Sequence, residues 1–271
     1  MKPYMALVGA RFRTLLQYRA AAWAGFATQA FWGLIRVMIF TAFYESTGDP
    51  QPMDLDQVID YIWMSQALFA MLPWSLDRDV ANQIRTGNVA YEMVRPVDLY
   101  GFWLARAVAM RTAPTLLRSV PLLVLAAGIL RLAGAGSWAL GAPASLVHGF
   151  LFAVCLCAAA ALASCFTVLV STSLLWTISG EGVANLMPAA VWVLSGIVIP
   201  LPFYPDWFQP VLRILPFRGL LDLPMQVYVG SIAPSAVFWE LALQLAWIVV
   251  LALLGRWLLA RGLRRVVVQG G

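Results

Sequence analysis

Residues 146–176 read LVHGFLFAVCLCAAAALASCFTVLVSTSLLW, an apolar run without one Asp, Glu, Lys or Arg. A helix crossing a bilayer core needs roughly 20 such residues. This run exceeds that length, and the rest of the chain shares its character. Of the 271 residues, 62% are hydrophobic and 11% charged, and the mean hydropathy is +0.80. A soluble domain carries about 25% charged residues because its surface must face water. This composition instead describes an all-α polytopic membrane protein, and not a soluble domain with one anchor.

Working outward from 146–176, further apolar segments stand at 20–44, 58–76, 107–130, 183–200 and 236–260. The segment 58–76 is of minimal length. The segment 183–200 is cut short by Pro200 and divided from its predecessor only by Ser179-Gly180-Glu181-Gly182. Six transmembrane helices in a single membrane domain over 1–271 are expected, with no room for a sizeable soluble domain. Residues 1–19 carry Lys2, Arg11, Arg13 and Arg19 without an acid, while Met5, Val8, Phe12 and Leu15 recur at helical spacing. A basic amphipathic helix of this kind lies on an anionic membrane surface. No short apolar core leads to a cleavage site there, so a cleavable leader is not expected.

Basic residues set the expected orientation, since cytoplasmic segments are enriched in them. With the N-terminus inside, the inner segments hold Lys2, Arg11, Arg13, Arg19, Arg78, Arg85, Arg95, Arg106, Arg256, Arg261, Arg264 and Arg265. The outer ones hold only Arg131, Arg213 and Arg218. The first outer loop is purely acidic, with Glu45, Asp49, Asp54 and Asp56. Both termini are therefore expected in the cytoplasm.

Two connections are more than loops. Asp77–Trp103 is long, of mixed charge and cytoplasmic on this orientation. Pro200–Gly230 carries Pro200, Pro202, Pro205, Pro210, Pro216 and Pro224 among Trp207, Phe208, Leu215, Phe217 and Leu220. Proline breaks helices, and broken apolar backbone is tolerated near a membrane only where protein buries it or water reaches it. Two short helices, near 206–215 and 217–229, are expected to dip back from the outer surface as a re-entrant hairpin before the last span.

The missing chemistry narrows the function. Lys2 is the one lysine, so no Gly-Lys-Ser/Thr loop exists to cradle nucleotide phosphates. No His-Glu-x-x-His, Cys-x-x-Cys or Gly-x-Ser-x-Gly pattern occurs. Cys155, Cys157 and Cys165 share one apolar run and read as packing residues, and His148 as a satisfied interfacial histidine. No catalytic residue, resident cofactor or metal site is expected. Asp60, Glu181 and Glu240 fall near span ends and not at a midpoint, which weakens an ion-coupled carrier. Arg36 and Arg118 are the deep charges. Arg36 lies about 12 Å from the outer end of its helix at 1.5 Å per residue. If the third helix projects into the cytoplasm, Arg111 and Arg118 lie on its inner face and Arg131 becomes the buried arginine. Each intramembrane arginine reads either as a functional charge or as one paired to a neighbouring helix.

The stretch Asp79–Asp98, with Ile84, Gly87, Arg95 and Pro96 and with Val94 where leucine is commoner, resembles the first cytoplasmic loop of ATP-binding cassette type-2 permeases. Trp207, Leu215-Pro216-Phe217 and Tyr228-Val229-Gly230 resemble the outer hairpin of the same branch. The tail from Gly262-Leu263-Arg264-Arg265 to Gly270-Gly271 also fits. Order and spacing over nearly the whole chain carry the likeness.

The resemblance implies the membrane subunit of a bacterial exporter in the inner membrane, paired with a second permease, identical or homologous. Two copies of a separate ATPase subunit would hold the ATP and Mg. In such proteins the first cytoplasmic loop forms a coupling helix, which here points to Asp79, Ile84, Arg85, Gly87, Glu92, Arg95 and Pro96. The hairpin shapes an outer gate, which points to Trp207, Pro216 and Phe217. The family does not fix the substrate, and no nucleic-acid partner is implied. An ion-coupled secondary carrier and a membrane anchor for a signalling ATPase are the other two readings.

Overall fold

The computed structural model describes residues 2–94, 96–177 and 181–264. Its helices are α1 (Lys2–Leu16), α2 (Arg19–Ser46), α3 (Leu55–Ala67), α4 (Arg78–Arg85), α5 (Val89–Met93), α6 (Leu99–Leu132), α7 (Leu146–Ser173), α8 (Glu181–Leu194), α9 (Gln209–Ile214), α10 (Asp222–Tyr228) and α11 (Pro234–Leu263). Short 3-10 turns link several of them, and no strand occurs among the described residues. Arg95, Ile178-Ser179-Gly180 and the tail from Arg265 onward lie outside those residues.

Four of these helices, α2, α6, α7 and α11, are long and apolar enough to cross a membrane. They coincide with four of the six apolar segments. The other two fold into shorter helices. Segment 58–76 becomes α3, 13 residues long, followed by a 3-10 turn at Phe69–Met71. Segment 183–200 becomes α8, 14 residues long.

Helix α3 is short and almost wholly enclosed. Tyr61, Ile62 and Trp63 have no exposed surface. The Trp63 ring presses on α2 at Gly33, where a methyl group would come within 2.7 Å of it. Protein, not lipid, surrounds the broken backbone after Ala67, and there a helix end is tolerated. Arg111 of α6 makes the break possible. Its guanidinium donates to Leu72 O at 2.9 Å, to Ser75 O and to Thr167 Oγ1 of α7 at 2.8 Å. Carbonyls freed by the break thus keep partners, as buried backbone must.

Helix α6 begins at Leu99, eight residues before the apolar segment 107–130 and inside the expected loop Asp77–Trp103. The cause is local: Asp98 caps the helix, accepting from Gly101 N at 2.8 Å. With the helix extended this way, Arg111 is 3% exposed, whereas Arg131 lies exposed beyond it, donating to Leu140 O at 2.8 Å. The expectation that Arg131 would become the buried arginine is therefore reversed, because the broken chain after α3 wraps Arg111. Near its far end α6 widens into a π-helical turn, Leu125–Ile129, where the Ala126 carbonyl accepts from Leu140 N at 2.9 Å.

Helix α1 packs along α6, and Tyr4 Oη accepts from Asp98 N at 3.0 Å. Helices α7 and α11 form the other close pair, crossed by Gln244, which donates to Cys155 O and Gly219 O. His148 is satisfied by Ser145 Oγ and Ile232 O, as a packing histidine should be. Between α8 and α11 the proline-rich segment does form short helices, α9 and α10, with a 3-10 turn at Arg218–Leu220 dividing the second expected helix. Asp222 holds this segment to the core. Fully buried, it accepts from Tyr61 Oη at 3.0 Å, Leu201 N at 3.3 Å and Arg218 Nε at 3.3 Å. Arg218 also pairs with Glu240.

Candidate functional site

Two features stand out from the packed core: an elbow at one end of the bundle and a cleft along α2.

The elbow is α4 and α5. Asp77 caps α4, accepting from Asp79 N at 2.9 Å. The same carboxylate takes a two-pronged contact from Arg106 of α6, at 3.0 and 3.1 Å. Asp79, two residues on, pairs with Arg106 at 2.9 Å and with Arg11 of α1. The Arg11 guanidinium, helped by Arg106, holds the Asp79 carboxyl below its ordinary value of 3.8. One ion network thus ties α1, α4 and α6. After Arg85 the chain reverses at Gly87, whose φ of +74° is a left-handed conformation that side-chain-bearing residues resist. Val80, Val89, Tyr100 and Trp103 then bury the underside of the elbow. Its outer side keeps Tyr91, Met93 and Val94 at 74, 50 and 81% exposure.

The cleft, about 810 Å³, lies between α2, the end of α3 and the chain at α8 and beyond. Its walls are mostly aromatic and aliphatic, among them Trp32, Phe40, Phe69, Trp192 and Phe203. Arg36 enters it, donating to Val198 O at 2.8 Å and reaching Ser65 Oγ at 3.5 Å. Gln29 lines it too.

The family profile described as ABC-2 family transporter protein matches residues 30–270. The chain belongs to the ABC-2 transporter family. Searches among the curated proteins and among the solved structures found no match. Four membrane-length helices and this family make the chain a multi-pass transport permease.

Against that identity, the residues singled out in the permease sequence fall into distinct places. Asp79 is in the ion network. Arg85 and Pro96 are exposed on the elbow, Ile84 packs against its apolar underside, and Gly87 makes its turn. Glu92 points inward instead, 4% exposed, where it accepts from Trp103 Nε1 at 2.8 Å. Arg95 lies outside the described residues. In the hairpin Trp207 is 77% exposed, Pro216 is buried, and Phe217 stacks on Phe166 of α7 with ring centres 5.2 Å apart. Arg36 enters the cleft. Arg118 lies against Gly25 of α2, and its Nε is buried without an acceptor.

Several residues that build these two features and their support carry little signal in the sequence. Asp222 looks like one loop acid among prolines, yet it anchors the proline-rich segment to the core. Gln29 sits in an apolar helix and carries no charge to draw notice. Tyr91, Met93 and Val94 lie among polar neighbours; the available signal is their apolar character on a segment too short and too charged to enter lipid.

Proposed function

We propose that this permease is the membrane half of an ATP-driven exporter in the bacterial inner membrane, gripped through the α4–α5 elbow by a separate ATPase. The observation that carries the reading is the elbow itself. It presents exposed Tyr91, Met93 and Val94 on a turn fixed from behind by the Arg11–Asp79–Arg106–Asp77 network. Exposed apolar residues rimmed by charge suit a protein partner, and a rigid backing lets a push on them travel into α6. With no phosphate-binding lysine in this chain, ATP and Mg belong on the partner, in two copies beneath a pair of permeases.

On this reading both termini are cytoplasmic and the six apolar segments make six passes. Helices α3 and α8 complete theirs with non-helical backbone, mostly buried after α3 and open at Val198 and Ile199 after α8. The α9–α10 hairpin lies on the outer side as a gate, and the cleft beside α2 contributes to the path. The domain is single, with 1–19 at the interface, 77–103 as the coupling region and 200–230 as the hairpin.

The test is co-expression with a Walker-type ATPase, which is expected in the neighbouring reading frame. A cysteine at Asn88 should cross-link to that subunit, and vesicles holding both should export in a vanadate-sensitive manner. Efflux that ignores vanadate but collapses with a protonophore would overturn the reading in favour of an ion-coupled carrier.

A further inference from the structure

Five arginines, Arg106, Arg111 and Arg218 buried and Arg36 and Arg118 partly so, are not alike. Arg106 is matched by Asp77 and Asp79, and Arg218 by Asp222 and Glu240. Arg111 spends its fork on two carbonyls and a hydroxyl. Arg36 and Arg118 have no carboxylate partner among the described residues. Arg36 keeps one good bond, to Val198 O, and Arg118 has a buried Nε with no acceptor. Between them stands Gln29, 3% exposed, with neither its amide nitrogen nor its oxygen partnered.

These groups are aligned. Gly25, where a methyl group would come within 2.5 Å of Arg118 Cζ, precedes Gln29 by four residues and Arg36 by eleven. At 3.6 residues per turn the three positions fall within about 40° of one face of α2, and they span about 16 Å along its axis. The face borders the cleft, which Gln29 and Arg36 line. Around this polar line the walls are Trp32, Ile35, Phe40, Phe69, Trp192 and Phe203, and outward-facing Trp32, Ile39 and Phe43 are exposed.

Unmatched buried donors are costly to leave unmade, and a guanidinium inside a membrane without a counter-ion is more so. Apolar walls give nothing to a small hydrophilic anion, and the Arg36 charge in the cleft, with Arg118 further along the same face, repels a cation. We infer that the cleft takes an anionic amphiphile, its charged head held at Arg36 and Gln29, with Arg118 against Gly25 extending the same polar line beyond the cleft, while its hydrocarbon lies against the aromatic wall. This deepens the transport reading and rests on it for the direction of movement, but the binding site stands on these residues alone. Phosphate or carboxylate heads satisfy the chemistry, because guanidinium binds either through paired charge-assisted bonds. A cleft of 810 Å³ is of the size that encloses one drug-sized or single-chain molecule.

The test uses the full chain in dodecyl maltoside and follows its thermal unfolding midpoint against added dodecyl phosphate, dodecyltrimethylammonium and inorganic phosphate. Dodecyl phosphate alone should raise the midpoint in a saturable way. Arg36→Gln and Arg118→Gln should each weaken its apparent affinity by about tenfold, the loss of one charge-assisted contact. Gln29→Leu removes two unpaired groups, so it should fold at least as stably as the parent and still bind dodecyl phosphate less tightly. It decides the matter if the arginine variants fail to fold. Equal shifts with the cationic amphiphile, or unchanged affinity in Gln29→Leu, overturn the proposal. A full effect from inorganic phosphate alone would make the site one for a soluble anion and overturn it equally. If no ATPase ever associates with the chain while dodecyl phosphate binding follows this pattern, the export reading falls and the site remains.

Discussion

The indole nitrogen of Trp103 donates to the Glu92 carboxylate at 2.8 Å, and both side chains are buried. This bond folds α5 back on α6, so that Glu92 secures the elbow from within. Removing the acceptor strands a buried donor, at a cost of about 1–3 kcal/mol. Glu92→Ala is expected to lower the thermal midpoint of the purified permease and to weaken ATPase-coupled transport, while Glu92→Gln, which keeps an acceptor, recovers most of both. An alanine variant as stable as the parent would remove Glu92 from the elbow's support.

Gly87 makes the elbow's turn at φ +74°, and a methyl group added there would meet no atom within 4 Å, so any substitution strains the backbone alone. Left-handed conformation costs an ordinary residue about 1–2 kcal/mol, and asparagine less. Gly87→Val should leave the permease inserted and paired but cut transport sharply. Gly87→Asn should fall between the two. Normal transport by the valine variant would make α4–α5 a plain linker.

The ion network gives a pH signature. Asp79 has its carboxyl held below 3.8 by Arg11 and Arg106, so its contribution is complete above that value and lost as pH falls through the lowered one. With the Asp79 side chain 54% exposed, the contribution is modest. Thermal midpoints of the parent and of Asp79→Asn should differ at neutral pH and converge on the acid side of 3.8. A gap that persists unchanged into acid would assign the effect of the variant to something other than this carboxylate.

Pro216 is buried at the join between α9 and the Arg218–Leu220 turn, next to the Phe217–Phe166 stack. Its ring fixes the backbone that lets the segment reverse. Pro216→Leu is expected to reduce transport severalfold while leaving ATP hydrolysis by the assembled complex largely intact. Both activities falling together would point to misfolding, and neither falling would leave the hairpin without a gating role.

Orientation can be read by labelling. In a background lacking Cys155, Cys157 and Cys165, cysteines at Ser46 and Gly136 should react with an impermeant thiol reagent on intact cells. A cysteine at Thr86 should react only after permeabilisation. External labelling of Thr86 would sink the six-pass arrangement with an inner elbow.

Long elements are legible in the sequence because length and apolarity suffice to mark them: α2, α6, α7 and α11 fall where the hydrophobic runs are. Gly87 is legible too, since its residue type suits a positive φ. What escapes depends on partners distant along the chain. Arg111 and Arg131 look interchangeable on one helix, and their fates are decided by Leu72, Ser75 and Thr167. Glu92 reads as one more loop charge until Trp103 is seen beneath it. A stripe of Gly25, Gln29 and Arg36 is visible as a spacing, but its meaning needs Arg118 from another helix and the absence of any facing carboxylate among the described residues.

Arg111 holds chain on both sides of Pro73-Trp74 and, through Thr167, holds α7 as well. Slack between α3 and α4 is thereby removed at the place where a loop would otherwise absorb it. If a partner presses on the elbow, as proposed above, the movement is expected to reappear as a joint tilt of α6 and α7, as plates fixed by one rivet turn together.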